Sequence, residues 1–313
     1  MEGQMYRPEL ATDASTRGEA IIEDRSNSLM EFEQDSFAKL FNRKPFAFAH
    51  SLCAEPLLKL DKIKELARSL EVRPGELYAD IDVTRVNQRW DQSHRPMTSM
   101  ASLVDQIGCS NAWIIIRHAE LDPKYRSLME RGINKIREAS GGVLPRGIRK
   151  ENAIIFVTSP HRISTYHIDR ECNFILQIHG EKRIYIFDQN DREVLPEEEL
   201  ERFWAVDNNA ATYKPQYQHR CQMFHLRPGT GVHVPVNAPH WVQNGDEISI
   251  TLSLNFQFSE MERANKYRAN YYLRRLGFTP TPPGKSVLRD SLKANAMRGV
   301  VGVGRPLKTL IGR

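Results

Sequence analysis

Histidine and aspartate residues at short spacing form the most reactive pattern in this 313-residue sequence. His167 and Asp169 are separated only by Ile168, in the stretch Ser-Thr-Tyr-His-Ile-Asp-Arg. Because side chains alternate faces along a β-strand, residues two apart can direct an imidazole and a carboxylate at one point. His240, in the downstream stretch Val-Asn-Ala-Pro-His-Trp, is the candidate third ligand. Two histidines and one carboxylate are typical of non-haem Fe(II) sites, and the same donors also suit Mn or Co.

Two alternatives remain open for these residues. His167 and Asp169 could instead form a structural, hydrogen-bonded pair in a sheet that binds no metal. His233, in Gly-Thr-Gly-Val-His-Val-Pro, is the main rival to His240, because strand alternation also allows it to face the site. We expect the other histidines of this region to be structural or surface residues: His161, His179, His219 and His225.

Lys182 is the second chemical signal. A small co-substrate with a free carboxylate needs a fixed cation inside its pocket, and a lysine ammonium is a compact point charge that can supply it. The alternative is an exposed lysine at the start of a strand. Asn173 and Asn255 lie in predicted strands, where a buried amide usually has a hydrogen-bonding role, and either amide could orient a ligand from behind. Backbone groups could equally well satisfy both amides.

Short apolar stretches separated by turn residues dominate the region that contains these candidates. Such a pattern is typical of a jelly roll or a related closed β structure. The acidic and then polar insert at 196–220 predicts a helix and loop that cover the site. The predicted strands are 153–158, 163–168, 173–178, 182–188, 221–226, 231–235, 240–243 and 247–258.

The predicted organisation has four segments. They are a flexible arm over 1–28, an extension of helices and strands over 29–150, the β-rich core over 151–258 and a basic helical tail over 259–313. Apolar content is 40% and charged content 27%, so the chain can bury a core.

Membrane and secretory classes are disfavoured by the sequence. Four scattered cysteines without a Cys-x-x-Cys pair argue against a zinc ribbon and a disulfide-stapled secreted domain. No apolar run reaches the ~18 residues of a membrane span, and the first residues do not resemble a signal peptide. These features predict a cytoplasmic protein.

Positive charge is concentrated in the last segment. Residues 259–313 contain 12 Lys or Arg against 3 Asp or Glu, whereas the remainder contains 32 against 36. The tail could therefore contact an acidic surface, either anionic lipid or nucleic acid. A solvated tail without a partner is the alternative.

The core resembles the JmjC/cupin-like Fe(II)- and 2-oxoglutarate-dependent oxygenases, most nearly the branch of the asparaginyl hydroxylase that acts on hypoxia-inducible factor. The resemblance covers about residues 150–260, and its motifs occur in the family's order. They are His167-Ile-Asp169, Asn173-Phe, Gln177-Ile-x-Gly180-x-Lys182-Arg183, Gly231-Val-x-Val-Pro235, Pro239-His240-Trp241 and Ile250-Thr-Leu-Ser-Leu-Asn255-Phe.

The resemblance implies a mainly β fold with flanking α-helices, namely a double-stranded β-helix (jelly roll or cupin) with an N-terminal α/β extension and C-terminal helices. It implies that His167, Asp169 and His240 hold Fe(II). Lys182 would pair with the distal carboxylate of 2-oxoglutarate, and Ser164 would assist it. The family amides near the co-substrate are matched here by Asn173 and Asn255.

The implied activity is a dioxygenase, and more narrowly a hydroxylase, that uses O2 and converts 2-oxoglutarate to succinate and CO2. A cupin-type binding module that keeps a metal without turnover is the first alternative, and a metal-dependent isomerase or hydrolase is the second. The substrate is open among a peptide side chain, a small metabolite, a sugar and a lipid headgroup. In the enzymes that this chain resembles, C-terminal helices can form dimers, so a homodimer could use a face formed by Tyr267, Tyr271, Tyr272, Leu273 and Leu276. The alternative is that these residues pack on the chain's own β-core.

Overall fold

A computed structural model describes residues 29–82, 84–94, 96–142, 144, 150–257 and 260–307 of the chain. The predicted flexible arm, 1–28, lies outside these residues. Within the described part of the chain, no helix is long and apolar enough to cross a membrane.

The first part of the chain alternates short strands with helices. Its apolar residues recur at helical spacing in the longer helices, for example Ile63, Leu66 and Leu70, which are at most 3% exposed. The strands are β1 (Met30–Glu31), β2 (Phe46–His50), β3 (Leu77–Asp80) and β4 (Trp113–Ile116), and the helices are α1 (Gln34–Leu40), α2 (Leu60–Leu70), α3 (Met100–Asp105) and α4 (Pro123–Ala139).

All eight strands predicted for the core are present. Gly180 makes the tight connection between two of them, with φ of +68°, and a Cβ there would lie 2.2 Å from the carbonyl oxygen of Ile248. The strands are β5 (Lys150–Thr158), β6 (Ile163–His167), β7 (Cys172–His179), β8 (Lys182–Ile186), β9 (Gln222–Leu226), β10 (Thr230–Val234), β11 (His240–Asn244) and β12 (Ser249–Gln257).

The strands form two antiparallel sheets. The major sheet has the order β1-β2-β10-β7-β12-β5-β4-β3, and the minor sheet has the order β6-β11-β8-β9. Side chains from both sheets line one cavity, so the sheets face each other. This arrangement confirms the predicted double-stranded β-helix with flanking helices. Strands β2 and β4 of the first part pair with β10 and β5, so the predicted extension widens the major sheet at both sides.

Strand alternation divides the major sheet between two environments. On β12, Leu252, Leu254 and Phe256 are at most 2% exposed and belong to the main hydrophobic core beneath the helices. A Cβ at Gly132 of α4 would lie 2.6 Å from Leu254, so this helix packs directly on the strand. The intervening Thr251 and Ser253 face the minor sheet and line the cavity.

Three further helices follow or interrupt the core: α5 (Glu197–Ala205), α6 (Glu260–Arg275) and α7 (Val287–Leu307). Helix α5 lies in the insert at 196–220 and packs on α6 through the Arg274–Glu201 ion pair, with bonds of 2.7 and 3.0 Å. Tyr267 stacks on Trp204 with ring centroids 6.2 Å apart. The described part of the predicted basic tail is therefore largely helical. Whether it contacts an acidic surface stays a prediction.

Candidate metal centre

The pairing of β6 with β11 brings the two candidate histidines together. His240 lies opposite His167 in the antiparallel register, and their ring centroids are 4.2 Å apart. His240 is 3% exposed, whereas His167 is half-buried at the mouth of the cavity. His167 and His240 are far apart in the sequence, but they are neighbours on adjacent strands of one sheet.

A β-bulge in β6 changes which residues of this strand face the cavity. Two steps on β11, from His240 to Val242, match three steps on β6, from His167 to Ser164. One extra residue in a strand reverses the alternation beyond it. Ser164 and His167 consequently both line the cavity, although an odd spacing in a regular strand would place them on opposite faces.

Asp169 is positioned by a loop and not by the strand. Strand β6 ends at His167, so the strand-alternation argument for the His-x-Asp pair does not describe how the carboxylate is held. The Asn173 side chain donates a 2.7 Å hydrogen bond to Asp169 Oδ2. The backbone N–H of Asn237 donates to the carbonyl oxygen of Asp169 at 3.0 Å. Asn173 thus orients a candidate ligand from behind.

The three side chains present a metal-ligand geometry. His167 Nε2 lies 4.0 Å from Asp169 Oδ1, and His240 Nε2 lies 3.7 Å from Asp169 Oδ2. One donor atom from each residue lies within 4.8 Å of the others, and no other group of three histidine, cysteine or acidic residues in the described parts of the chain does so. Two nitrogens and an oxygen at such spacing suit a divalent transition metal.

Hydrogen bonds to the far ring nitrogens leave both Nε2 atoms available. His167 Nδ1 lies 2.6 Å from the carbonyl oxygen of Thr165, and His240 Nδ1 lies 2.9 Å from that of Ala238. A carbonyl oxygen can only accept, so each Nδ1 carries a proton, and in a neutral imidazole the free lone pair is then on Nε2. Burial, and secondly the nearby His167, lower the pKa of His240 to about 4. His240 is therefore neutral at pH 7, as a ligand must be.

His233 is not available as a ligand. Its Nε2 accepts from the backbone N–H of Asn42 at 2.9 Å, and its Nδ1 donates to the carbonyl oxygen of Asn173 at 3.1 Å. The ring packs against Phe46 and Phe174 at centroid distances of 4.9 and 4.7 Å. It lies on the helix-covered face of β10, so strand alternation turns it away from the cavity.

An inner cavity of about 70 Å³ extends from the triad between the sheets. Lys182, the first residue of β8, lines it and is 7% exposed. No carboxylate and no hydrogen-bond acceptor among the described residues pairs with its ammonium group. Burial lowers the pKa of Lys182 to about 7, and no nearby anion opposes that shift. The polar residues that share this cavity are Thr158, Ser164, His167, Asp169, Asn173, His240, Thr251 and Ser253.

Hydroxyl residues beside Lys182 were missed by sequence reasoning. Thr158 and Thr251 line the inner cavity, and Thr251 Oγ1 donates to Gln177 at 2.9 Å. The sequence did contain a signal for these hydroxyl residues: Thr251, Ser253 and Asn255 are polar residues at every second position of an otherwise apolar strand. Such alternation marks a strand whose second face meets a polar cavity.

Asn255 is placed differently from Asn173. Its amide donates to Asn152 Oδ1 at 2.9 Å, and its Oδ1 accepts from the Ser253 hydroxyl at 2.6 Å. It lines an outer cleft of about 430 Å³ on the solvent side of the triad, whereas Asn173 lines both the cleft and the inner cavity. The structure thus brings Ser164, Asn173 and Lys182 around the inner cavity and places Asn255 outside it.

The predicted lid forms a wall of the outer cleft. Phe203 of α5 and Asn208 line the cleft together with Arg170. The Arg170 guanidinium donates to the carbonyl oxygen of Phe203 at 3.0 Å and to Asn208 Oδ1 at 2.9 Å. It also lies 5.2 Å from the Phe203 ring centroid. The insert at 196–220 is therefore held beside the triad by the residue that follows Asp169.

The segment after β3 supports the strand that carries His167. Thr84 Oγ1 donates to the carbonyl oxygen of Ile163 at 2.6 Å, and the Tyr166 N–H donates to that of Val86 at 2.8 Å. The buried Arg162 guanidinium forms an ion pair with Asp80. Losing one partner of such a buried pair costs about 3–5 kcal/mol. These contacts restrain both ends of β6.

The double-stranded β-helix is the fold of the cupin class, and in this chain two histidines and a carboxylate converge in its cavity. Residues 40–262 match the profile of the family described as "Cupin-like domain". The match covers more than half of the chain, and the chain belongs to this family. It begins before β2, so the family's domain includes much of the segment that the sequence motifs alone treated as an extension.

Solved structures with a similar fold come from Escherichia coli. The "X-Ray structure of E. coli ycfD" is 18% identical with a TM-score of 0.50, covering 88% of this chain and 69% of that chain. YcfD structures titled as a ribosomal oxygenase with cobalt and succinic acid and with cobalt and 2-oxoglutarate are 16% and 17% identical, each with a TM-score of 0.48 and coverages of 88% and 68%. At these identities the first likeness supports the fold alone. No curated protein matches the sequence at a significant level.

Proposed function

We propose that the protein is an Fe(II)- and 2-oxoglutarate-dependent dioxygenase, and more narrowly a hydroxylase. The observation that carries the proposal is the Lys182 ammonium, which lines the same inner cavity as the triad and has no anionic partner among the described residues. A buried charge that lacks a partner is unfavourable by several kcal/mol, roughly. A carboxylate entering the cavity would supply the missing partner.

The residues fit the groups that this activity needs. His167, Asp169 and His240 would hold the metal through neutral imidazole nitrogens and a carboxylate oxygen. When bound, Fe(II) together with 2-oxoglutarate and O2 supplies oxidation of a C–H bond, with 2-oxoglutarate converted to succinate and CO2. Lys182 would pair with the distal carboxylate, and the hydroxyls of Ser164 and Thr251 would line its approach.

The direct test is succinate formation. Purified protein with Fe(II), O2 and 2-oxoglutarate should form succinate slowly without substrate and should form none anaerobically. Tight metal binding without succinate in the presence of a broad peptide and metabolite panel would support the alternative of a binding module. Substrate conversion that persists without O2 would instead indicate an isomerase or hydrolase.

The affinity for 2-oxoglutarate should fall as the pH rises above about 7. In the free protein, burial holds the pKa of Lys182 near that value, and pairing with a carboxylate raises it. Binding therefore takes up a proton at higher pH, and Kd should increase by up to about tenfold per pH unit above the free pKa. Calorimetry of the Mn(II)-loaded protein between pH 6.5 and 9 measures this dependence. Lys182→Arg is the matched control: arginine stays charged throughout this range, so its Kd for 2-oxoglutarate should not change with pH. A wild-type Kd that does not change with pH would contradict the role assigned to Lys182.

We also propose a branch of the oxygenase family and a substrate class for the protein. The motifs around His167 and Lys182 resemble the asparaginyl hydroxylase branch, which favours a side chain of a peptide over a metabolite, sugar or lipid headgroup. Mass spectrometry of a peptide and metabolite panel, screened by substrate-stimulated succinate formation, should reveal a single added oxygen. Stimulation by metabolites alone would exclude the peptide class.

We also propose that the C-terminal helices carry a face for a second copy of the chain. Tyr267 is packed against Trp204 and cannot contribute, but Tyr272 and Leu276 are 47% and 73% exposed. Phe278, Val287 and Leu288 in the same C-terminal segment are also 62%, 84% and 71% exposed. Sedimentation should give twice the chain mass, and a monomer at micromolar concentration would refute the dimer.

A further inference from the structure

Among the described residues that line the outer cleft, one charged side chain makes no ion pair and no hydrogen bond that would stabilise the fold. Arg117 follows β4, and its backbone N–H donates to the carbonyl oxygen of Glu76 at 2.8 Å. The side chain is half-buried and lines the cleft. Its guanidinium has no ion pair and no hydrogen bond with any described residue. An arginine held in this way presents a planar, bidentate donor to whatever enters the cleft.

The other charges of the cleft are already engaged. Asp169 belongs to the triad. The Glu171 carboxylate accepts a hydrogen bond from the Gln257 amide, and Arg170 is bonded to the lid residue Phe203. Among the cleft side chains that the structure describes, the guanidinium of the residue after β4 is therefore the charge that remains available to a ligand.

An aromatic wall stands in the same cleft. Tyr78 meets Trp90 and Trp113 edge-on, with ring centroids 6.3 and 5.9 Å apart. Its hydroxyl donates to the carbonyl oxygen of Trp90 at 3.2 Å. Trp113 lies parallel to Phe156 at 6.3 Å. The rings support each other, so they present a preformed apolar surface, which binds flat apolar groups at little entropic cost.

We infer that the outer cleft binds a substrate that carries a carboxylate or phosphate on an apolar or aromatic body, with Arg117 pairing with the anion and Trp90 and Trp113 contacting the body. The inference rests on the proposed function, because it assigns the substrate class of the same site. Arg117 and Trp113 lie at opposite ends of β4 and both line the cleft, so the anion and the apolar body would contact different parts of the same strand. Arg117 is thus assigned as a specificity residue.

The test measures binding and does not require turnover. Protein loaded with Mn(II) and excess 2-oxoglutarate is titrated anaerobically by calorimetry with 3-phenylpropionate, phenyl phosphate and phenethylamine. Excess 2-oxoglutarate keeps the probe carboxylate away from Lys182. Arg117→Gln removes the charge, Arg117→Lys keeps it, and Arg68→Gln on the exposed face of α2 makes the same charge change outside the cleft.

At least one anionic probe should bind more tightly than phenethylamine, and Arg117→Gln should weaken it by about tenfold or more. Arg117→Lys should still prefer the anion to phenethylamine, because it keeps the charge, but should bind the anion less tightly than the wild type, because it lacks the bidentate geometry. Arg68→Gln should match the wild type. Tighter binding of 3-phenylpropionate would indicate that the natural substrate carries a carboxylate, and tighter binding of phenyl phosphate would indicate a phosphate. Tighter binding of phenethylamine, equal binding of all three probes, absence of anionic binding, or an unaffected Arg117→Gln overturns the inference. Succinate formation is scored separately, so loss of the anion preference in a protein that turns over 2-oxoglutarate rejects only this inference.

Discussion

A Lys182→Met protein should bind 2-oxoglutarate roughly 30- to 5,000-fold more weakly than the wild type, because truncating one partner of a buried charge pair costs about 2–5 kcal/mol. Methionine keeps the unbranched shape of the lysine stem and removes only the charge. Metal affinity should stay within a few-fold of the wild type, since the three candidate ligands are untouched. Calorimetric titration of the Mn(II)-loaded protein with 2-oxoglutarate measures the effect.

The same variant should be more stable than the wild type when no co-substrate is present. The folded-state pKa of Lys182 is lowered to about 7 from 10.5, so the unfolded chain binds the proton more strongly. The resulting destabilisation is full below the folded pKa and is relieved as the pH rises from about 7 towards the unfolded pKa. Urea unfolding at pH 7 should therefore shift to higher concentration in Lys182→Met, and the shift should shrink by pH 10.

Arg183→Met is the matched control for both measurements. Arg183 is the next residue of β8, and its side chain is exposed on the opposite face of the strand. It should retain wild-type affinity for 2-oxoglutarate and wild-type stability. An unchanged affinity in Lys182→Met would refute the role assigned to the ammonium group, whatever the metal site does.

Asp169→Ala and His240→Ala should each reduce succinate formation by about 10³-fold or more, since loss of the metal's charge stabilisation removes several kcal/mol. The cause should be loss of the metal, which a Mn(II) titration followed by electron paramagnetic resonance detects directly. Each side chain supplies one of only three protein donor groups. Normal turnover by either variant would show that the triad does not carry the activity.

Two further variants test a residue that orients a candidate ligand and a histidine outside the site. Asn173→Ala should reduce metal affinity or turnover by about 10- to 100-fold, as expected for a residue that orients a ligand, because its amide holds Asp169 Oδ2 at 2.7 Å. His225→Ala is the matched histidine control, because His225 is exposed and pairs with Glu181 at 2.8 Å. It should bind metal and form succinate as the wild type does.

Local sequence patterns were sufficient to predict the elements of this protein. Alternating apolar residues and turn residues located all eight core strands, and the helical spacing of Leu60, Ile63 and Leu66 located α2. These features depend on neighbours in the chain, and burial of one face follows directly from their period. The predicted segment boundaries stay predictions, and the pairing of β2 and β4 with the core strands had no local signal.

The candidate site was only partly readable in the same way. The residue types at His167, Asp169, Lys182 and His240 indicated the chemistry, but the choice between His240 and His233 depended on which face of the sheet each residue occupies. Strand alternation predicts that successive side chains lie on opposite faces of the sheet, yet it does not say which of the two faces lines the cavity. His233 lies on the face that the helices cover, and it is therefore turned away from the cavity.

By itself the sequence determined where the core strands lie, because period is a local property. It also predicted the set of metal donors from residue type, and that assignment stays a prediction. Tertiary structure alone decided that a bulge turns Ser164 towards the cavity and that the Lys182 ammonium is buried with no partner among the described residues. Both features depend on register between strands distant in the chain. Register is set by the packing of the whole sheet, which no short stretch of sequence encodes.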